Sequence, residues 1–357
     1  PGLSHCPVEE YYDPARFRSE VDLLFRRYPI VVAFSGQVRK PGDFVVHNDT
    51  GQPILVVRGT DGVLRAFLNV CRHRAASVET KPCGSNKRAF VCPYHGWAYE
   101  LSGKLMNVPL RPTFPTLRDE DHGLHELPLQ LRHGFVIVVP TPSAAPPSLE
   151  FGTLDDDLTG FALAQHVTYK RVTVERACNW KLVIDAFLEG YHVKSLHRTS
   201  IAKFFRDDGV VVDYFGPHVR SIGARRDLVE SLRGKPKDEW NIRDAATVYY
   251  FLFPNTVLVF HPDWLSHITM YPLQEDRCRC VHTMLTPRQP DSEALRQHYD
   301  RSFELINGQV FEKEDLAIAE SVQRGMSALP LARYPLGVLE HPISHFHHHL
   351  DEKLAQP

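Results

Sequence analysis

Apolar residues fall into two rhythms along this chain. After an amphipathic opening from Asp13 to Arg27, short runs rich in β-branched and aromatic residues follow one another: Ile30 to Phe34, Asp43 to His47, Ile54 to Arg58, Leu64 to Val70, Ala89 to Cys92 and Gly134 to Val139. Turns carrying Gly or Pro separate them, among them Lys40-Pro41-Gly42, Thr60-Asp61-Gly62 and Ser102-Gly103. Strands this short, punctuated this closely by turn residues, predict an antiparallel β domain. The pattern breaks over Thr141 to Ser148, a Pro- and Ser-bearing stretch that reads as a linker and places the domain boundary between 1–148 and 149–357.

Beyond that stretch the rhythm mixes. Val167 to Glu175, Ala246 to Leu252, Thr256 to Phe260 and Cys280 to Thr286 read as strands, whereas Trp180 to Gly190, Ser292 to Ile306 and Gln309 to Arg324 carry helical spacing. Helices and antiparallel strands in separate runs predict an α+β domain built on an antiparallel sheet.

Composition narrows the function classes. A chain of 357 residues exceeds what one core usually organises, which agrees with two domains. With 43% hydrophobic residues, 24% charged residues and a net charge of -2, it has no basic footprint for nucleic acid. Apolar runs such as Phe135 to Val139 and Val257 to Phe260 fall far short of the ~20 residues that cross a bilayer, and no signal peptide opens the sequence, so the expectation is a cytoplasmic protein without a membrane partner. Seven cysteines, an odd number without paired spacing, point to reduced thiols or metal ligands rather than a disulfide framework.

Two of them carry chemistry. Cys71-Arg-His73 is followed, after eighteen residues, by Cys92-Pro-Tyr-His95, so each of two loops offers one thiolate and one imidazole. Zinc takes such donors, but zinc sites normally pair Cys with Cys and His with His. A Rieske [2Fe-2S] centre holds one iron by two Cys and the other by two His, which mixed loops supply. Cys6, Cys83, Cys178, Cys278 and Cys280 are expected to be packing residues, the last two facing one way on a strand.

The segments Cys71-Arg-His-Arg74 and Cys92-Pro-Tyr-His-Gly-Trp97 resemble the cluster-binding loops of Rieske non-haem iron ring-hydroxylating oxygenases, in their catalytic (alpha) subunit. The stretch from Cys178-Asn-Trp-Lys181 through Glu189-Gly-Tyr-His192 to His197 is similar to the iron-binding segment of the same family. The resemblance implies a Rieske domain in front of a helix-grip-like α+β catalytic domain. It also implies that Cys71 and Cys92 ligate one cluster iron, and His73 and His95 the other. A mononuclear Fe(II) then activates O2, with electrons arriving from NAD(P)H through a partner reductase and in some systems a ferredoxin.

The residues support the second iron independently. Asp185 and Glu189 are like charges one helical turn apart, which weakens a helix unless something positive lies between or beside them. On a regular helix His197 would be rotated about 140° from His192, so the helix should distort or end near Gly190. Two histidines and one carboxylate form the facial triad of non-haem Fe(II) oxygenases. Downstream, Asp315 falls on a helical stripe with Phe311, Ile318, Ala319 and Val322, whereas Glu312 and Glu314 read as more exposed. A carboxylate pointed into a core must pair or bind metal. Glu314-Asp315 and the following Glu320 and Gln323 also resemble the family's third-ligand helix, and the expected iron ligands are His192, His197 and Asp315.

In the family, an acidic residue three positions before the first ligand His bridges it to a cluster His of the next subunit. Glu189 holds that position and Asp185 stands nearby, so the bridge is expected at one of the two, accepting imidazole N–H bonds. A head-to-tail homotrimer is likewise implied. Candidate pocket residues are Phe187, Phe204, Phe205, Tyr249, Phe251, Phe253, Phe260 and Trp264, which suit a small aromatic substrate or, by cation–π contact, a quaternary ammonium compound such as choline, carnitine or a betaine. His345-Phe-His-His-His349 reads as a packing or solvated segment. The expected reaction is hydroxylation, dihydroxylation or demethylation. The competing classes are a Rieske electron carrier, which has no use for a buried Asp315 and a His-x4-His pair, and a structural zinc protein, which would be colourless.

Overall fold

The strand Ile54–Arg58 shows why the front half folds as it does. It lies at the centre of a five-stranded antiparallel sheet ordered Glu126–Leu127, Leu64–Leu68, Ile54–Arg58, Phe44–His47, Cys83–Gly84. Alternate side chains leave a strand on opposite faces. Leu55 and Val57 enter one apolar cluster with Cys71, Cys92, Trp97 and Tyr99, whereas Ile54 and Val56 enter another with Ile30, Val32, Val136 and Val138. The second cluster is closed by a three-stranded sheet of Leu129–Arg132, Phe135–Val138 and Ile30–Phe34. The first is closed by the loops that carry Cys71 and Cys92, together with a small sheet of Phe90–Val91, Ala98–Tyr99 and Leu105–Asn107.

The computed structural model describes residues 4–142, 149, 151–328 and 333–355, without the side chains of residues 207, 208 and 327. The expected linker therefore lies, from residue 143 to 148, outside the described residues. The chain forms two compact units: Asp22–Glu150 with Asp155–Gln165, and Pro1–Val21 with Phe151–Leu154 and His166–Pro357. This corrects the division at 148 in two places. The opening segment belongs to the second unit, because Ser4–Pro7 pairs with Arg333–Leu336 and the fully buried Glu20 accepts from Trp180 Nε1 at 2.9 Å and Lys181 Nζ at 2.7 Å. Residues 155–165 return to the first unit, where Asp155 bonds Arg132 and His133.

The second unit is built on a seven-stranded antiparallel sheet ordered Val167–Arg176, Arg277–Thr286, Leu265–Gln274, Thr256–Phe260, Ala246–Leu252, His218–Arg225, Phe205–Phe215. Three of these, Phe205–Phe215, His218–Arg225 and Leu265–Gln274, carry no clear alternation in sequence. The last is buried along its first seven positions, so both faces are covered, polar Ser266, His267 and Thr269 fall among the apolar residues, and the period-two signal vanishes. Asn179 caps the helix Trp180–Phe187 by accepting from the Lys181 amide, and Ser292 caps Glu293–Phe303 through the Leu295 amide. The latter runs on as a π-helix over Glu304–Asp315 and then as an α-helix over Leu316–Ala328, where the sequence predicted two separate helices. Among the described residues no helix is long and apolar enough to cross a membrane.

Candidate metal centres and active-site pocket

The two front loops are built alike. In one, the Cys71 amide donates to the Ala76 carbonyl at 2.8 Å and the Ala75 amide to the Cys71 carbonyl at 3.0 Å. In the other, the Cys92 amide donates to Trp97 at 2.8 Å and the Gly96 amide to Cys92 at 3.0 Å. Each turn closes through a left-handed residue, Ala75 at φ 59° and Gly96 at φ 73°. The matched turns bury both thiols, with Cys71 and Cys92 3% and 2% exposed, and leave His73 half-buried and His95 exposed. The facing Nδ1 atoms of His73 and His95 are 3.1 Å apart. His73 also stacks on Trp97 at 4.9 Å between ring centroids.

This donor set fits an iron-sulfur cluster. Burial, and the Cys71 thiol beside it, push the Cys92 thiol above its ordinary pKa against the pull of neighbouring amides. A bound cation is what makes such a thiol ionise. Tyr99 Oη lies 3.2 Å from Cys71 Sγ and accepts from the Arg72 amide at 3.0 Å, so it fixes one loop from below. Nothing in the sequence marked Tyr99, although its fully buried phenol is the kind of group that needs a polar partner.

In the second unit the helix Trp180–Phe187 stops short of Gly190, and only a single turn, Val193–Leu196, follows. His192 and His197 flank that turn, which removes the angular conflict and brings their rings to 5.0 Å. Asp315, at the last position of the π-helix, meets them: its Oδ1 lies 3.7 Å from His192 Nε2 and 3.0 Å from His197 Nε2, and ligand atoms of all three lie within 4.8 Å of one another. Despite that approach Asp315 Oδ1 is buried without an aligned hydrogen-bond partner. An orphaned buried carboxylate oxygen facing two imidazole nitrogens is a set that a divalent metal completes.

The far nitrogens of both rings are held by carboxylates. His192 Nδ1 bonds Glu189 Oε1, while Glu189 Oε2 accepts from the amides of Tyr191 and His192. His197 Nδ1 donates to Glu314 Oε2 at 2.6 Å, and Glu314 is itself held by Ser200 Oγ at 2.6 Å and Gln309 Nε2 at 3.0 Å. Carboxylates in this position fix tautomer and ring orientation and leave both Nε2 atoms free to ligate. Burial opposes charge on the His197 ring, but Asp315 and Glu314 outweigh it and raise its pKa. Glu314 is therefore not the exposed residue that the helical wheel predicted. Glu312 bonds Asn307 and Arg176 instead. Ile318 and Val322, placed by the wheel on the buried stripe, are 43% and 39% exposed on the α-helix beyond Asp315. They line a hollow of about 650 Å³ on the outer side of Glu189 and His192.

The two acidic candidates separate cleanly. Glu189 touches a candidate ligand. Asp185 instead enters a buried network, accepting from Tyr11 Oη at 2.6 Å and lying 3.1 Å from His347 Nε2. Within the His345 to His349 segment, His347 is thus a core residue, and His345 Nε2 reaches the Gly216 carbonyl at 2.8 Å. Cys178, Cys278 and Cys280 form a row of buried thiols 3.8 and 3.9 Å apart.

A cavity of about 500 Å³ opens from His192, His197 and Asp315 between the helices and the sheet. Its walls include Phe187, Phe204, Phe205, Tyr249 and Trp264, as expected, and also Phe311. Phe251 and Phe253 instead pack against Phe346 of the C-terminal helix His341–Leu354, and Phe260 faces Tyr250 on the opposite side of the sheet from Val259.

Residues 163–356 match the family described as the ring hydroxylating alpha subunit (catalytic domain), and residues 28–118 match the Rieske [2Fe-2S] domain. The chain belongs to the ring-hydroxylating oxygenase alpha subunits. It is accordingly an oxidoreductase that uses O2, with a Rieske cluster, a mononuclear non-haem iron, a small-molecule substrate and a reductase as electron source. The catalytic-domain match covers the half that a Rieske electron carrier has no need of. Among relatives, the chloroplastic choline monooxygenase of Spinacia oleracea is 28% identical over 369 residues, spanning 99% of this chain and 79% of that protein. The carnitine monooxygenase oxygenase subunit of Escherichia coli K12 is 28% identical over 370 residues, spanning 96% and 91%. The fold is shared with a quaternary ammonium Rieske monooxygenase solved with L-carnitine, at a TM-score of 0.84 and 21% identity over 98% of this chain and 96% of that one. It is shared also with naphthalene 1,2-dioxygenase from a Rhodococcus species, at 0.80 and 21% over 99% and 95%.

Proposed function

We propose that this oxygenase is a monooxygenase of a quaternary ammonium compound. The observation that carries the reading is an aromatic-walled cavity opening directly on His192, His197 and Asp315 in a chain whose relatives include choline and carnitine monooxygenases. The same walls would accept a flat aromatic ring, but the relatives favour the cation. The faces of Phe204, Phe205, Tyr249 and Trp264 attract a quaternary ammonium group that has no N–H to hydrogen-bond.

In this reading Cys71, Cys92, His73 and His95 hold the [2Fe-2S] cluster, and His192, His197 and Asp315 hold Fe(II). Bound, the two centres store electrons and activate O2 reductively. The chain's own residues do the rest. Glu189 and Glu314 keep the Nδ1 atoms of both imidazoles occupied, so that both Nε2 atoms converge on Asp315. The aromatic walls orient the substrate and exclude water. Glu189 rather than Asp185 is the bridging acid: both border the hollow where a neighbouring subunit of a homotrimer would dock, but Glu189 touches His192, whereas Asp185 is held by Tyr11 and His347. Electrons reach this cytoplasmic enzyme from the reductase, with or without a ferredoxin between them.

The test is a substrate panel with a generic reductase and NADH that includes choline and 3,3-dimethyl-1-butanol, its uncharged isostere. Cation-dependent turnover is expected, lost to background in Asp315→Ala while the visible absorbance of the cluster persists. Equal turnover of the two isosteres would refute recognition of the cation. Turnover surviving in Asp315→Ala would refute the ligand set.

A further inference from the structure

Among the described residues, every charged group lining the cavity but one is matched by a neighbour or, in the case of the Asp315 oxygen left without a hydrogen bond, set aside for the proposed metal. Asp263 lies 2.8 Å from His298 Nε2, Glu189 bonds His192, Asp315 faces His197, and Arg206 is partnered. The exception is Arg225. It ends the strand His218–Arg225, directly opposite Phe205 in register, and borders the same cavity as the candidate iron ligands. Its Nε is buried and, among the described residues, has no hydrogen-bond partner.

A guanidinium cannot shed its charge, and its fork of N–H groups matches a carboxylate in geometry as well as sign. Leaving a charged donor buried and unmatched is unfavourable. The positive field is felt locally: His261, stacked on Trp264 at 3.8 Å, is pushed down to about 3 by burial first, then by His282, Arg225 and Arg243. A neutral His261 leaves Arg225 as the standing positive charge on that wall. Aromatic faces attract the cationic part of a ligand, and Arg225 attracts an anionic part of the same ligand.

We infer that Arg225 is a carboxylate seat, and that the substrate is a zwitterion bearing a carboxylate besides its quaternary ammonium group rather than a cationic amino alcohol. This rests on the quaternary ammonium reading above and sharpens it. Arg225 is thus a specificity-determining residue that separates carnitine-like from choline-like compounds.

The experiment measures equilibrium binding to the iron-loaded, full-length protein by calorimetry, with γ-butyrobetaine, its methyl ester, choline and benzoate as probes. For the wild type, γ-butyrobetaine should bind about 10-fold or more tighter than the ester, which keeps the cation and cancels the anion. Arg225→Gln should lose that margin by weakening the acid alone, and Arg225→Lys should restore part of it. Equal affinity of acid and ester in the wild type overturns the seat without recourse to any variant, as does an Arg225→Gln that weakens both alike. Benzoate binding that Arg225→Gln abolishes, with no binding of any ammonium probe, would keep the anion seat and remove the quaternary ammonium reading.

Discussion

Replacing Glu314 by Gln tests how much of the proposed iron seat is built by residues that would not touch the metal. The carboxylate lies 2.6 Å from His197 Nδ1 and is positioned by Ser200 and Gln309. Glutamine keeps the shape and one acceptor oxygen but removes the charge, so the bond to the imidazole loses its charge-assisted character. Carboxylates behind a ligating histidine raise its basicity, and their loss typically costs 10–100-fold in metal affinity, about 1.4 to 2.7 kcal/mol. The structure favours the upper part of that range, because His197 is 2% exposed and solvent cannot replace the missing charge. The assay is anaerobic loading with Fe(II) followed by competition with a chelator, the cluster's visible absorbance serving as internal standard. Glu312→Gln is the control: that side chain bonds Asn307 and Arg176 and touches neither histidine, so its iron affinity should equal that of the wild type. Glu314→Gln holding Fe(II) as tightly as the wild type, or the control losing it equally, would refute the reasoning.

Glu20→Gln should destabilise the second unit by about 3–5 kcal/mol in urea unfolding, because it strands the buried Lys181 ammonium, whereas Glu20→Gln with Lys181→Met should recover most of the loss; additive losses would show that the pair is not coupled. His347 lies between Glu10 at 3.0 Å and Asp185 at 3.1 Å; burial opposes its charge, but Asp185, with hydrogen bonding to Cys6 and Glu10, raises its pKa well above the ordinary 6.5. The unfolded chain releases that proton near 6.5 and the folded one retains it, so the stabilisation is whole below that pH and is lost as pH rises through the folded value. Unfolding free energies measured above pH 7 should therefore fall by up to about 1.4 kcal/mol per pH unit more steeply in the wild type than in His347→Gln, and parallel slopes would eliminate a charged imidazole.

What the sequence disclosed depended on whether a residue's role is local. The candidate cluster loops were legible because Cys71 and His73, like Cys92 and His95, sit within single turns whose spacing suits the proposed ligation. The strand Ile54–Arg58 was legible because its two faces meet two different apolar clusters. The opening segment was misplaced because its partners, Trp180, Lys181 and Arg333–Leu336, are remote in sequence and no periodicity reports them. The downstream helix was read on a 3.6-residue wheel, which the π-helical turns over Glu304–Asp315 do not obey. Asp315 came out buried as the wheel placed it, but Glu314, inside the π-helix, turned inward to His197, and Ile318 and Val322, on the α-helix beyond it, stand part-exposed at the hollow. A wide helical turn of this kind is common at functional sites, and here it delivers two adjacent carboxylates, Glu314 and Asp315, to opposite nitrogens of one imidazole.

That delivery sets the electrostatics of the pocket. Glu189, Glu314 and Asp315 bring three formal negative charges around two imidazoles that border a largely apolar cavity. A bound dication leaves one of them unmatched, and a neutral substrate would leave it so. A quaternary ammonium group on the aromatic walls supplies the last positive charge without competing for the metal, since it has no lone pair to donate. A carboxylate on the same substrate would restore the imbalance unless a cation stood apart to receive it, and Arg225 is the charge on the cavity wall left over for that purpose. On the proposed reading, the charges that would hold the metal and those that would select the substrate are one balance, and a change to either side should be felt by the other.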